Sequence, residues 1–175
     1  MISGQDIDEA VSLENYNPIW PQMFETEAAV LRPVFINRLL DIQHYGSTAV
    51  PGIVAKPVID ILVGLPAAEL STAELVELKK LGYEYFGEAG VKGRLYLRKR
   101  GKTQYNISAV QYQSDLWNDN IAFRDFLRMD PTARKHYEQA KVLATRGGSS
   151  RLLEYSRQKS ATVAALLIEA RRLQG

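Results

Sequence analysis

The sequence predicts an α/β (α+β) fold: a mixed β-sheet flanked by helices and followed by C-terminal helices. Three observations carry this. Pro57 to Leu65 is a continuous apolar run broken by a single carboxylate, Asp60, the pattern of a strand buried inside a sheet. Two alternating segments, 95–99 and 105–112, flank Arg100-Gly101-Lys102 and read as a hairpin. From Asp115 onward, apolar residues recur at helical spacing. The chain has 175 residues, 46% hydrophobic and 24% charged, a globular composition. That size suits one domain over 1–175, with a sheet core over 11–112 and a helical part over 115–173.

Taken in order, the first dozen residues read as a lead-in with a short strand near Val11–Leu13. Asn17 suits an N-cap and Pro18 the first helical position. Trp20, Phe24, Ala28 and Leu31 then form a core stripe at helical spacing. Pro33 bends or ends this helix, which resumes toward Leu40. Ile42 begins a strand that runs into His44-Tyr45-Gly46-Ser47, and Thr48 to Gly52 is a turn. The buried strand from Lys56 to Leu65 follows. Ser71 caps a helix to about Leu81, with Glu74 at the capping-box position. Tyr83–Phe86 is extended, Gly87 to Gly93 is a glycine-rich loop, and the hairpin comes next. Asp130-Pro131 starts a new helix, and Gly147 to Ser150 separates it from the last one, Leu152 to Arg172. This order places the helices on one face of a small mixed sheet.

Composition excludes several function classes. The 22 basic and 20 acidic residues leave a net charge of +2, too balanced for a dedicated nucleic-acid or polybasic membrane binder. There is no cysteine, so thiol nucleophiles, disulfides and thiolate zinc sites are ruled out. Two histidines, His44 and His136, do not make a His-rich metal site. No apolar run approaches the ~18 residues of a membrane span, and the N-terminus lacks a secretory apolar core. A cytoplasmic protein with a small-molecule substrate is expected, without membrane or nucleic-acid partners. Monomer and homodimer stay open, since the last helix carries a long apolar face.

The informative stretch is His44–Gly64. Gly46 lets the backbone approach a ligand closely, and the amides after it can face phosphate oxygens. Ser47 and Thr48 add hydroxyls. Asp60, 13 residues after Ser47 and set in an apolar strand, needs an exposed strand end, strong donors or a cation. A metal-bound triphosphate would supply one.

HYGSTAVPGIVAKPVIDILVGL resembles the GrpB family signature, which reads approximately His-x-Gly-Ser-Thr-x-Val-Pro-Gly and then Lys-Pro-x-x-Asp-Ile. Tyr16 to Trp20, Gly87 to Arg94 and the Tyr155/Lys159 spacing resemble further parts of the family pattern, so the similarity covers residues 11–170. The family is similar to the nucleotidyltransferase superfold. The resemblance implies a mixed sheet with a Gly-Ser phosphate turn and acidic metal ligands on the next strand, with Mg2+ and a nucleoside triphosphate as the expected cofactors. The sequence departs from that pattern. Active relatives on this fold carry Asp-x-Asp or Asp-x-Glu, and a third carboxylate on a later strand. Here the second position is Leu62, and the later strand offers Asn106 and Ser108.

The candidate site follows. Asp60 binds a divalent ion or orients an attacking hydroxyl or amine, and Lys56 offsets anionic charge. Gly46, Ser47 and Thr48 cradle phosphate, with His44 one strand step away, as a ligand contact or a core histidine. Arg94 and Arg98 share one face of a strand with Tyr96 and can clamp an anion if that face looks into the cleft. Asn106 and Ser108 share a face and contact the acceptor. Tyr155 and Lys159, one helical turn apart, reach the cleft if the last helix folds over it. The Lys99-Arg100-Lys102 cluster reads as a solvated hairpin tip, Glu88 as loop surface, and Trp20 and Trp117 as core anchors. The function that best joins these residues is transfer of a nucleotidyl or related group to a small acceptor. The alternatives are a non-catalytic ligand-binding or regulatory module, and an enzyme of different chemistry, small-metabolite group transfer or ligation, on the same scaffold.

Overall fold

A computed structural model describes residues 8–146 and 151–173; the expected break at Gly147–Ser150 lies outside them. The elements run α1 (Trp20–Leu31), β1 (Asp41–Tyr45), β2 (Val58–Leu65), α2 (Thr72–Lys80), β3 (Glu84–Tyr85), β4 (Arg94–Lys99), β5 (Gln104–Gln111), α3 (Asp115–Met129), α4 (Pro131–Arg146) and α5 (Leu152–Arg172). The sheet order is β1-β2-β5-β4-β3. Only the central pair, β2 and β5, is parallel, so the sheet is mixed.

Local signals account for the helix starts. In α2 the Ser71 hydroxyl accepts from Glu74 N while the Glu74 carboxylate accepts from Ser71 N, a complete capping box. Ser114 caps α3 through Trp117 N. The Asp130 carboxylate accepts from Thr132 N and Ala133 N at 2.7 and 2.9 Å, with Pro131 opening α4.

Register decides what each face of the sheet does. Ile59, Ile61, Val63 and Leu65 of β2 and Tyr105, Ile107 and Ala109 of β5 point to one side. They pack under Trp20, Phe24, Ala28 and Leu31 of α1 and Leu78 of α2. A Val, Leu, Ile or Phe side chain this fully buried contributes ~1.5–3 kcal/mol. On the other side, Leu62 and Val110 meet Trp117 of α3. Gly64 makes that contact possible: a Cβ there would stand 2.8 Å from both Trp117 and Tyr112 ring atoms. A third cluster joins Phe126 of α3, Ala133 and Tyr137 of α4 and Leu166 of α5 to Val50 and Ile53.

Several expectations change. Helices cover both faces of the sheet rather than one, because residues two apart on β2 face opposite cores from their neighbours and each side needs burial. Helix α1 begins at Trp20 with Pro21 in its first turn, and Asn17 stands in the turn before it, its carboxamide accepting from Ile19 N at 3.0 Å. Residues 32–38 are turns, and no helix resumes before β1. Val11–Leu13 forms no strand; single bridges at Ala10 to Arg151 and Glu14 to Ala55 hold that segment. Trp20 and Trp117 are core residues, 2% and 5% exposed. Among the described residues no helix is long and apolar enough to cross a membrane.

Candidate functional site

The polar side of the sheet is set by cross-strand partners. Tyr45 of β1, Asp60 of β2 and Asn106 of β5 lie side by side, and Arg98 of β4 is opposite Asn106. Because partners share a face, Asp60, Asn106, Ser108, Arg94, Tyr96 and Arg98 all lie on the side away from α1. Helix α5 crosses over this face. The result is a cleft of ≈ 390 Å³ lined by Tyr45, Ser47, Lys56, Asp60, Arg94, Tyr96, Asn106, Tyr155, Ser156 and Lys159, closed by Ala89 and Val91 of the glycine loop.

Asp60 is the one carboxylate among these lining residues. Its Oδ1 accepts from Asn106 Nδ2 at 2.8 Å. Its Oδ2 lies against Gly46, where an added Cβ would stand 2.4 Å away. Gly46 has φ +71°, a conformation that strains any other L-residue, so this glycine answers both to the turn and to the carboxylate. Burial raises the Asp60 pKa above its ordinary value; the Asn106 hydrogen bond and the charges of Lys56, Lys159 and Arg100 pull the other way without overcoming it.

Around Asp60 the charges are positive. Lys159 stands over the Tyr155 ring at 4.7 Å and near the Tyr137 ring at 5.8 Å; its charge acts on Asp60 across the cleft, and among the described residues it makes no direct ion pair. The Arg94 guanidinium lies over Tyr96 at 4.7 Å and donates to the Ala89 and Glu88 carbonyls, while its buried Nε has no partner. Ser47 Oγ is 3.2 Å from the Tyr137 hydroxyl. Burial raises the Tyr45 and Tyr155 hydroxyl pKa values and pushes Tyr96 up to about 12, so these tyrosines stay protonated.

The structure thus brings Ser47, Lys56, Asp60, Arg94, Asn106, Tyr155 and Lys159 together, with Gly46 against Asp60. It sets four candidates apart. His44 pairs with Ile61 and so points to the α1 side, stacked on Phe24 at 5.0 Å. Its Nε2 meets Thr48 Oγ1 at 3.0 Å, and Thr48 itself donates to Val58 O at 3.1 Å. With the hydroxyl proton used, His44 must donate, which fixes the Nε2–H tautomer. Burial, and then Arg128 and Arg124, bring the His44 pKa down to about 4. His44 and Thr48 therefore brace the turn from beneath. Ser108, 1% exposed, is sealed under the Tyr45 hydroxyl at 2.7 Å. Arg98 is buried over Phe86 and 3.5 Å from Glu9.

Three residues outside the candidate set support the site. Glu9 binds Arg100 through two contacts of 2.9 Å and also pairs with Lys56. Burial acts to raise its pKa, but hydrogen bonds and charge from Arg100 and Lys56 outweigh it and hold the carboxyl down at about 2. Arg100 is therefore no solvated hairpin tip: its Nη2 also donates to Asn106 Oδ1 at 2.9 Å, and this turns the Asn106 NH2 toward Asp60. Tyr45, the cross-strand partner of Asp60, is the third. Glu88 closes its own loop by accepting from Gly93 N.

A second concavity of ≈ 470 Å³ lies at the β1 edge beside His44, Arg124, Arg128 and Arg134. Its central cations, like Lys56 and Arg94 in the cleft, bond to protein groups: Arg124 to Gln43, the His44 carbonyl and Asp125, and Arg128 to the Ala49 carbonyl.

The mixed sheet with its Gly-Ser turn, and the helices around it, define a protein of nucleotidyltransferase-like fold. The solved terminal uridylyl transferase 4 from Trypanosoma brucei, with bound CTP, matches at a TM-score of 0.50 and 16% identity, over 92% of this chain and 53% of that one. At this identity the likeness speaks for the fold alone. The family model described as GrpB protein matches residues 10–169, and the chain belongs to the GrpB family. The crystal structure of the conserved protein GrpB from Enterococcus faecalis matches at a TM-score of 0.83 and 32% identity, covering 93% of this chain and 99% of that one. The glutamate-rich protein GrpB of Alkalihalophilus pseudofirmus is 35% identical over 75% of this chain and 79% of its own length.

The fold raises the question of divalent metal. Asp60 offers one carboxylate, Leu62 is fully buried, and Asn106 presents its NH2 rather than its oxygen. Among the described residues no group of three His, Cys, Asp or Glu side chains stands together. This donor set does not fit a two-metal centre.

Proposed function

We propose that the cleft binds an anionic small molecule, a nucleoside triphosphate in the first instance, and that the protein transfers a nucleotidyl or related group from it to a small acceptor. The observation that carries this reading is one carboxylate, Asp60, surrounded by Lys56, Arg94 and Lys159 in one cleft. Phosphate oxygens meet Ser47 and the backbone turn. Lys56, Arg94 and Lys159 offset the negative charge that a transferring group develops. The acceptor hydroxyl or amine gives its proton to Asp60 as its oxygen or nitrogen bonds to phosphorus. The bond to the leaving pyrophosphate breaks, and that anion stays paired with the cations. A carboxyl with a raised pKa suits the base role, since the best catalytic pKa lies near working pH.

A second reading, a ligand-binding module without turnover, is favoured by Leu62 and Asn106 at positions where transferases on this fold carry carboxylates. Calorimetric titration with nucleoside triphosphates and with pyrophosphate, with and without Mg2+, tests the shared premise. Binding that weakens in Lys159→Gln supports the cleft. Dependence on Mg2+ would restore a metal role to Asp60. No binding of any of these anions sinks the nucleotide reading. Acceptor-dependent pyrophosphate release that disappears in Asp60→Asn separates the enzyme from the module.

A further inference from the structure

The polar cleft continues into a second chamber of different character. Between α3 and α5 runs a groove of ≈ 480 Å³ whose walls include Phe123, Leu127, Val163, Ala164 and Leu167, within the size range of small-molecule sites. Phe123 and Tyr137 pack edge to face at 5.3 Å and form an aromatic end wall. Tyr45, Ser156 and Lys159 line both chambers and mark the doorway. Gly46 also borders this groove, with the Asp60 side chain packed directly against it.

We propose that this groove is the acceptor subsite and that its occupant is a carboxylic acid with an apolar tail bearing a hydroxyl or amine beside the carboxylate. This deepens the function proposed above and rests on it. Charge complementarity selects the head group. Lys159 stands at the doorway without a direct ion pair among the described residues, so a ligand carboxylate supplies one. A simple alkyl ammonium would meet the same cation with repulsion. The hydrophobic walls select the tail. With the carboxylate at Lys159 and the tail between α3 and α5, the neighbouring hydroxyl or amine is left at the doorway, which opens onto the chamber that Asp60 lines.

The test is calorimetric titration with 3-phenyllactate, lactate and 2-phenylethanol, on the native chain, Ala164→Trp and Lys159→Gln. Ala164 is exposed on α5 and outside the polar cleft, so Ala164→Trp fills the groove without touching the anion site. Phenyllactate is expected to bind at least ~10-fold tighter than lactate, the effect of burying its ring. That advantage disappears in Ala164→Trp while pyrophosphate binding is unchanged. Phenyllactate also exceeds 2-phenylethanol by ~10-fold, and Lys159→Gln removes this difference. Equal binding of phenyllactate and lactate, or an advantage that survives Ala164→Trp, overturns the proposal. So does a change in elution volume in Ala164→Trp with no response to phenyllactate, which would make the groove a contact between copies of the chain. Phenyllactate binding as described without any pyrophosphate binding would leave the groove standing and sink the nucleotide donor.

Discussion

Asn106 lies directly across the parallel pair from Asp60 and donates its Nδ2 to Asp60 Oδ1 at 2.8 Å. Arg100 holds the other end of that carboxamide, so the orientation is fixed by two partners. A neutral donor thus stands where a second carboxylate would make a metal pair. Asn106→Asp reverses this: it sets two like charges side by side in a half-buried place and removes the hydrogen bond. A loss of about 2 kcal/mol is expected, a fall of ~4–8 °C in melting temperature at pH 7. Mn2+ restores part of it. An unchanged melting temperature with and without Mn2+ would contradict the geometry.

Asp60 itself is held against stability. Its pKa in the fold is raised above the ordinary 3.8, so the ionised form is disfavoured on folding. The stability it lends is whole below its unfolded pKa and is lost as pH rises through the folded one. Asp60→Asn is therefore expected to melt above the native chain at pH 7, with the gap closing near pH 3. Thermal melts across pH read this directly. A variant less stable at neutral pH would mean that Lys56 and Lys159 outweigh burial.

Gly46 couples the turn to the carboxylate. Gly46→Ala places a Cβ 2.4 Å from Asp60 Oδ2 at a φ of +71°. The backbone penalty alone is ~1–2 kcal/mol, so a fall of ~4 °C or more is expected. Gly46→Ala combined with Asp60→Gly should recover the part due to the clash and keep the part due to φ. Recovery of the whole loss would show that φ carries no strain.

His44 is a structural group with a distinct signature. Burial first, then Arg128 and Arg124, lower its pKa to about 4, so it stays neutral where the unfolded chain takes up a proton. The stability it contributes is present above its unfolded pKa of 6.5 and is lost as pH falls toward 4. Imidazole nitrogen NMR is expected to show the Nε2–H tautomer at pH 7 and titration near 4. Titration between 6 and 7 would contradict the packing on Phe24.

Much of this was legible in the sequence where one residue and its neighbours suffice. The apolar run around Asp60 gave the buried strand, Ser71 with Glu74 gave a helix start, and Asp130-Pro131 gave another. Alternation put Arg94, Tyr96 and Arg98 on one face. What stayed hidden needs distant partners. His44 and Ser47 look like one motif, yet the β1–β2 register, Tyr45 opposite Asp60, sends His44 to the other side. Burial likewise separates Arg98 from Arg94, through Phe86 and Glu9. Glu9 meets Arg100 across 91 positions, and no local pattern carries such a pairing.

The proposed function puts the anion site in the Asp60 cleft and not in the arginine-lined hollow at the β1 edge. Backbone amide NMR during titration with pyrophosphate tests it most directly. Saturable shifts are expected at Gly46, Ser47, Arg94 and Lys159, lost in Lys159→Gln. Shifts confined to His44, Arg124 and Arg128, or none at all, would contradict it.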